Sequence, residues 1–256
     1  MQPKKSLGQN FLTNENIAKN IAKSTDIKGA NVLEIGPGEG FLTKYLAGSG
    51  TRVLAIEIDQ RLIEPLQKQF KNIEIIEGDI LKTNLPRLIE ENKFQKYKVV
   101  ANLPYYITSK IIRLFLETKY PPEEMTLMVQ KEVGERIVAL DGKESILSIS
   151  VKFYADPEIL FEVGKENFEP IPKVDSVVIK IKRKEAIPEI DITKFFSLVK
   201  VGFSAKRKML VNNLSTFGHP RARLLDILKK AGLEPTVRAE KLGVEDWIKL
   251  YKNILP

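Results

Sequence analysis

From residue 31 to residue 140 the chain alternates short aliphatic, β-branched runs with helical stretches, and this alternation narrows its fold more than any other feature. Asn31 to Ile35, Arg52 to Ile58, Ile73 to Glu77, Lys98 to Ala101 and Met125 to Gln130 read as strands. Residues 41 to 48, Gln60 to Phe70, Thr108 to Glu117 and Lys131 to Leu140 read as helices. The pattern is that of βαβ units, so it predicts an α/β fold: a doubly wound, mostly parallel sheet with helices on both faces. Two more strand-like stretches, Ile146 to Tyr154 and Val174 to Lys182, follow with no convincing helix between them. They are expected to close one edge of the sheet as an antiparallel pair. After Pro188 the character changes. Asp191 to Phe203, Lys206 to Phe217, Arg221 to Ala231 and Val244 to Leu255 read as helices separated by Gly or Pro, which predicts a small all-helical domain after a linker near 184 to 190. The expected division is therefore 1–184 and 185–256.

Composition removes many kinds of chemistry. With 43% hydrophobic and 29% charged residues, the 256-residue chain can build a sizeable core and is not collagen-like, low-complexity or mainly disordered. No apolar run approaches the roughly 18 residues that cross a bilayer. Met1 to Ser6 lacks the apolar core of a signal peptide, so a cytoplasmic protein with no membrane partner is expected. There is no Cys and one His, which excludes disulfides, a thiolate nucleophile and a Cys/His zinc site. A Ser-His-Asp triad would need His219, which lies in the turn signal Gly218-His219-Pro220. Carboxylates, amides, aromatics and cations remain.

The 41 basic and 33 acidic residues give a net charge of +8, unevenly spread. Residues 1 to 175 hold 24 basic and 25 acidic side chains, whereas residues 176 to 256 hold 17 and 8. The positive excess lies entirely in that last part, where a polyanion is expected to dock. A Lys-rich solvated helix surface would give the same count, so charge alone names a region and not a ligand.

Glu34-Ile35-Gly36-Pro37-Gly38-Glu39-Gly40 follows the first expected strand, where a doubly wound sheet binds ligands. Glycines there let the backbone approach a ligand closely. A dinucleotide fingerprint would need Gly where this chain has Phe41, which disfavours a nicotinamide-dependent dehydrogenase. Glu57 ends the second strand, where a carboxylate can accept both hydroxyls of a ribose. Asp79 ends the third and can accept a hydrogen bond from an adenine amine. Each could be no more than a solvated loop charge, but three such positions on consecutive strands favour a nucleoside-like ligand.

After the fourth strand comes Asn102-Leu103-Pro104-Tyr105-Tyr106. Pro104 disfavours helix at Leu103 and leaves its carbonyl free to face a cleft. The Asn102 side-chain oxygen and the Leu103 carbonyl then form two acceptors beside an aromatic face, which suits an exocyclic amine on a flat base. An aromatic amine is a poor nucleophile. Two acceptors holding its hydrogens favour a pyramidal geometry and aim the lone pair at an electrophile.

Glu34-Ile35-Gly36-Pro37-Gly38, Glu57, Asp79 and Asn102-Leu103-Pro104-Tyr105 together resemble a class I, Rossmann-like S-adenosylmethionine-dependent amino methyltransferase. Leu7-Gly8-Gln9-Asn10-Phe11-Leu12 and Phe168-Glu169-Pro170-Ile171-Pro172-Lys173-Val174-Asp175-Ser176 narrow the resemblance to the rRNA adenine dimethyltransferases, and within them to the KsgA type. It runs over nearly the whole chain and implies a seven-stranded sheet. It also implies that Gln9, Asn10 and Leu12 close over S-adenosyl-L-methionine and that Gly36 and Gly38 line its amino-acid portion. Glu57 would hold the ribose, Asp79 and the Ile80 backbone the adenine. Asn102, also near the cofactor, and Leu103 would receive the target amine after Pro104 sets the turn, with Tyr105 and Phe168 stacking on an extruded adenine. Such contacts, about 1 to 3 kcal/mol each, offset the unstacking. Phe203 to Leu214 resembles the family's basic segment, with Lys206 where Arg is usual, so Lys206, Arg207 and Lys208 are candidate RNA contacts. The same stretch also reads as an amphipathic core helix with a basic start.

The implied reaction dimethylates two adjacent adenosines near the 3′ end of 16S rRNA, in the 30S subunit or its precursor. S-adenosyl-L-homocysteine is the product, no metal is required, and the enzyme is expected to work as a monomer. An Erm-type 23S rRNA methyltransferase is the nearest alternative, against which Leu103 and the Pro170 to Ser176 run argue. A non-catalytic nucleic-acid-binding factor on the same fold is another, against which the intact Glu57, Asp79 and Asn102 to Tyr105 argue.

Overall fold

The computed structural model describes residues 2–4, 7–48 and 51–254. Met1, Lys5 and Ser6 of the opening segment, and Leu255 at the end of the last expected helix, lie outside these. The chain forms two compact units: Met1–Gly134 with Ala155–Arg183, and Glu135–Tyr154 with Lys184–Pro256. The sequence-based boundary near 184 falls at the third passage between units, after those at 134/135 and 154/155. The excursion of residues 135–154 into the helical unit is not foreseen by composition.

The strands are β1 (Phe11–Leu12), β2 (Asn31–Ile35), β3 (Arg52–Glu57), β4 (Glu74–Glu77), β5 (Lys98–Asn102), β6 (Glu124–Gln130), β7 (Ala155–Val163), β8 (Phe168–Glu169) and β9 (Ser176–Arg183). Seven of them form a sheet in the order β4-β3-β2-β5-β6-β9-β7. The first five are parallel, and β9 runs antiparallel between β6 and β7. The helices are α1 (Glu15–Ser24), α2 (Thr43–Leu46), α3 (Gln60–Gln69), α4 (Leu85–Glu91), α5 (Thr108–Glu117), α6 (Lys131–Val138), α7 (Ile146–Tyr154), α8 (Ile192–Gly202), α9 (Leu210–Leu214), α10 (Arg221–Lys230) and α11 (Val244–Ile254).

Side chains alternate across each strand, so both sheet faces need cover. Val32, Val53, Ala55, Val100 and Met128 share one buried cluster with Ala18, Ile21 and Ala22 of α1 and Leu62 and Leu66 of α3. The intervening Leu33, Leu54, Ile56, Val99 and Leu127 are equally buried on the opposite face. Asn14 and Asp59 start α1 and α3 by accepting backbone N–H groups, from Asn16 and Arg61. No helix among the described residues is long and apolar enough to cross a membrane.

Two expectations are corrected. Ile146–Tyr154 is helix α7, not a strand. Ser145 and Ser148 cap it reciprocally: the Ser145 N–H donates to Ser148 Oγ at 2.7 Å and the Ser148 N–H to Ser145 Oγ at 3.1 Å. Phe153 then packs on Phe195 and Phe196 of α8, and this burial overrides the β-propensity of Ile, Val, Phe and Tyr. The strand that does pair with β9 is β7, which carries Pro157; at the sheet's edge a missing N–H is tolerated. The second correction lies after α8. Residues 206–209 form a turn rather than a helix start, and α9 begins only at Leu210.

Trp247, the single tryptophan, is fully buried, and a Cβ on Gly202 would strike its ring. Gly202→Ala is therefore expected to lower stability by about 1–3 kcal/mol through overpacking. Gly243→Ala, where the nearest atom lies at 4.0 Å, is expected to shift it by less than about 0.5 kcal/mol. Urea unfolding followed by Trp247 fluorescence measures both; equal midpoints would contradict the packing described.

Candidate functional site

In the sheet β3 and β5 flank β2 on opposite sides, so the connections leaving β2 and β4 run in opposite directions and open a crevice at the strands' carboxyl ends. A pocket lies there, lined by Gly36, Gly38, Glu57, Asn102, Leu103, Pro104 and Tyr105 and covered by residues Leu7 to Leu12. Gly36 (φ +65°) and Gly38 (φ +62°) take left-handed backbone that other residues adopt at a cost. A Cβ on Gly38 would also lie 3.1 Å from the Phe11 ring, so glycine there lets the covering segment settle close.

Glu57, at the end of β3, is only 3% exposed. Its Oε2 accepts the Gly38 N–H at 3.0 Å and its Oε1 the Asp59 N–H at 2.8 Å. Burial raises its carboxyl above the usual range, and these backbone donors oppose that rise. The Gly78 N–H donates to the Glu57 carbonyl at 2.8 Å, which sets Asp79 one strand further out. Asp79 Oδ1 accepts the Leu81 N–H at 3.0 Å, and Ile80 beside it is buried. Neither Asp79 nor Ile80 lines the pocket itself.

Asn102 ends β5. Its Nδ2 donates to the Asn10 carbonyl at 3.2 Å, which commits the amide nitrogen and orients the side-chain oxygen as the remaining acceptor. The Leu103 N–H donates to the Met128 carbonyl at 3.2 Å. Pro104 (φ −56°, ψ 130°) opens a tight turn whose first bond runs from the Ile107 N–H to the Pro104 carbonyl, one residue beyond Leu103. The Tyr105 hydroxyl meets Ser176 Oγ at 3.0 Å, which fixes the ring against the pocket wall, and burial pushes the phenol up.

Gln9, Asn10 and Leu12 line the pocket too. Gln9 is tied down, its Nε2 donating to Asp59 Oδ2 at 3.1 Å and its Oε1 accepting the Lys4 N–H at 2.6 Å. Asn10 Nδ2 donates to the Gly8 carbonyl at 3.3 Å. Leu12 pairs with Phe168 across the β1–β8 ribbon. Phe168 is 2% exposed and sits in the hydrophobic cluster with Leu12, so its ring is not presented on the pocket wall. Lys206, Arg207 and Lys208 are all exposed in the turn before α9. Buried Asn213 shapes that turn, its Nδ2 donating to the Gly202 carbonyl at 2.5 Å and the Ala205 carbonyl at 3.2 Å. Among the described residues no cluster of three or more His, Cys, Asp or Glu stands where it could hold a metal ion.

Three polar groups that shape these surroundings escape the sequence reading: Asp59, Asn213 and the carboxyl of Glu34. Only Asp59 carries a local signal, as an N-cap before a helical run. Glu34 lines the pocket, is 1% exposed, and its Oε2 has no hydrogen-bond partner among the described residues. Burial pushes its carboxyl up to about 8, with the neighbouring Glu57 charge adding to the rise.

The chain matches the family described as ribosomal RNA adenine dimethylase over residues 1–255. A relative from Mycoplasmopsis pulmonis (strain UAB CTIP), named ribosomal RNA small subunit methyltransferase A, is 42% identical over 258 residues, 99% of this chain and 100% of its own. One of the same name from Dehalococcoides mccartyi (strain BAV1) is 41% identical over 260 residues, covering 98% and 88%. Among solved structures, a dimethyladenosine transferase from Plasmodium falciparum superposes with a TM-score of 0.79 at 30% identity, covering 94% of this chain and 96% of its own. The 23S rRNA methyltransferase ErmE gives 0.78 at 28%, covering 96% and 99%.

A carboxyl whose pKa is higher folded than unfolded contributes stability that is complete below its unfolded pKa and is lost as pH rises through the folded one. For Glu34 that window runs from about 4.5 to about 8. Unfolding free energy of the ligand-free protein is expected to fall by a few kcal/mol across it. Glu34→Gln is expected to remove most of that fall; an unchanged slope would show that Glu34 is not the group responsible.

Proposed function

The chain belongs to the ribosomal RNA adenine dimethylase family, and we infer that it transfers methyl groups from S-adenosyl-L-methionine to the exocyclic amines of two adjacent adenosines near the 3′ end of 16S rRNA. The observation that carries the reading is Asn102: its amide nitrogen is held by the Asn10 carbonyl, its oxygen remains as an acceptor, and the ring of Tyr105 stands beside it on the same pocket wall. The amine's two hydrogens would go to this oxygen and to the Leu103 carbonyl, which leaves the nitrogen lone pair directed out of the purine plane. Tyr105, fixed by Ser176, would supply a stacking face.

The pocket fits the cofactor. It offers a buried carboxylate for ribose hydroxyls, a turn whose Gly36 and Gly38 take left-handed backbone, and an unpartnered Glu34 oxygen suited to a cationic or donor group. Glu57 would hold the ribose, Gly36 and Gly38 the amino-acid portion, Asp79 and the Ile80 backbone the adenine, with Asn10 and Leu12 above. Bound cofactor supplies a methyl group already activated on a sulfonium, so the protein's task is orientation and exclusion of water; the methylated amine loses its proton to solvent. Phe168 would have to leave its apolar seat to cover the base.

RNA would be gripped by the exposed Lys206-Arg207-Lys208 turn, in the region that carries the chain's positive excess. The relatives named for the small subunit, at 41–42% identity over almost the whole chain, favour 16S over 23S rRNA.

Undermethylated small subunits incubated with labelled cofactor are expected to yield dimethyladenosine, and large subunits none; the reverse would favour the Erm-type activity. Asn102→Ala is expected to reduce kcat at least about 100-fold while the Kd for S-adenosylhomocysteine changes less than about threefold. Equal losses in both would contradict the role assigned to the amide. Replacing Lys206, Arg207 and Lys208 by Ala is expected to flatten the salt dependence of RNA binding by about 0.7–0.9 in log–log slope per lost phosphate contact, and an unchanged slope would move the RNA surface elsewhere.

A further inference from the structure

Asp59 lies two residues beyond Glu57, and its role extends past capping α3. Its side chain has no solvent exposure. Such a carboxylate must be met by donors, and two of the five that reach it come from the opening segment of the chain. Lys4 Nζ reaches Oδ1 at 2.9 Å and Gln9 Nε2 reaches Oδ2 at 3.1 Å. From α3, Arg61 donates through Nε at 3.0 Å and through Nη2 at 2.6 Å. Gln9 also accepts the Lys4 N–H at 2.6 Å, which closes a ring of bonds around the carboxylate. On its other side the Asp59 N–H donates to Glu57 Oε1 at 2.8 Å. The opening segment continues from Gln9 over the pocket, where the Asn10 carbonyl takes the Asn102 amide. A single residue thus joins the carboxylate beneath the pocket to the segment above it.

We propose that Asp59 is a positioning residue that, by holding Lys4 and Gln9, latches residues 7–12 over the pocket, so that cofactor entry and release require the Lys4 and Gln9 bonds to open. The proposal rests on reading the pocket as the cofactor site. A ligand that contacts the closed segment draws the population towards the closed form, and a protein that is seldom closed binds it more weakly in proportion. Asparagine at position 59 keeps the backbone donor to Glu57 and remains a good helix N-cap. It loses the charge that Lys4 and Arg61 meet, and it sets an amide N–H against one of the incoming donors.

The test compares the full-length wild type, Asp59→Asn and Lys4→Met, with S-adenosylhomocysteine as the probe, by calorimetry, steady-state kinetics and amide hydrogen exchange of residues 7–12. In Asp59→Asn the Kd is expected to rise at least about tenfold and kcat at saturating cofactor to stay within about threefold of wild type. Residues 7–12 are expected to exchange faster with and without ligand, with Lys4→Met intermediate. A merely structural role would lower thermal stability without separating Kd from kcat. Wild-type Kd together with wild-type exchange at residues 7–12 would overturn the latch. If Asp59→Asn fails to fold, Lys4→Met decides on the same readouts, since Lys4 is partly exposed. Failure of the wild type to bind the probe would instead refute the cofactor reading, and exchange measured without ligand would still test the latch.

Discussion

A carboxylate withdrawn from water has to be met by donors, and the pocket is organised by how Glu57 meets them. One oxygen takes the Gly38 N–H and the other the Asp59 N–H. The first bond ties the end of β3 to the glycine turn that follows β2. The second ties it to the start of α3 and, through the Asp59 side chain, to the opening segment of the chain. Backbone donors hold the group in place without neutralising its charge, which keeps it able to accept hydroxyl protons.

The other elements follow from sheet topology. Because β2 stands between β3 and β5, the glycine turn, Glu57 and Asn102 all emerge into one crevice although they are far apart in sequence. Parallel register, with Ile35 level with Ile56 and with Ala101, brings the three chain exits to one height. The pocket therefore needs no single rich motif, only three strands ending together. Positive charge is placed elsewhere in the chain, on a helical unit whose exposed basic turn is shaped by a buried asparagine. This division suits an enzyme that positions a small cofactor with backbone geometry and meets a polyanion with mobile lysine and arginine side chains.

Much of this was legible beforehand. The central strands combine apolar runs with flanking turn signals, and β2 and α5 begin and end where the pattern places them. Ile146 to Tyr154 was misread because its β-branched and aromatic content favours a strand, while the deciding facts are a Ser-x-x-Ser cap and an aromatic cluster with Phe195 and Phe196, a partner some forty residues away. Pro157 hid β7, since a proline argues against a strand until its edge position is known. At the site, residue identities could be read but not their bonding. Nothing local indicates that Gln9 is engaged by Asp59, that Phe168 is buried within the β1–β8 ribbon, or that Glu34 Oε2 is buried without a hydrogen-bond partner. Those properties arise from long-range packing, which short motifs do not encode.

The central claim is that Asn102 and Leu103 present two oxygens to a purine amine beside a cofactor held by Glu57. A crystal structure of the protein with S-adenosylhomocysteine and adenosine tests it most directly. The account expects the ribose hydroxyls on the Glu57 carboxylate, and the adenosine amine within hydrogen-bond distance of both Asn102 Oδ1 and the Leu103 carbonyl. An Asn102 side chain turned away from the adenosine, or a ribose bound without Glu57, would contradict it.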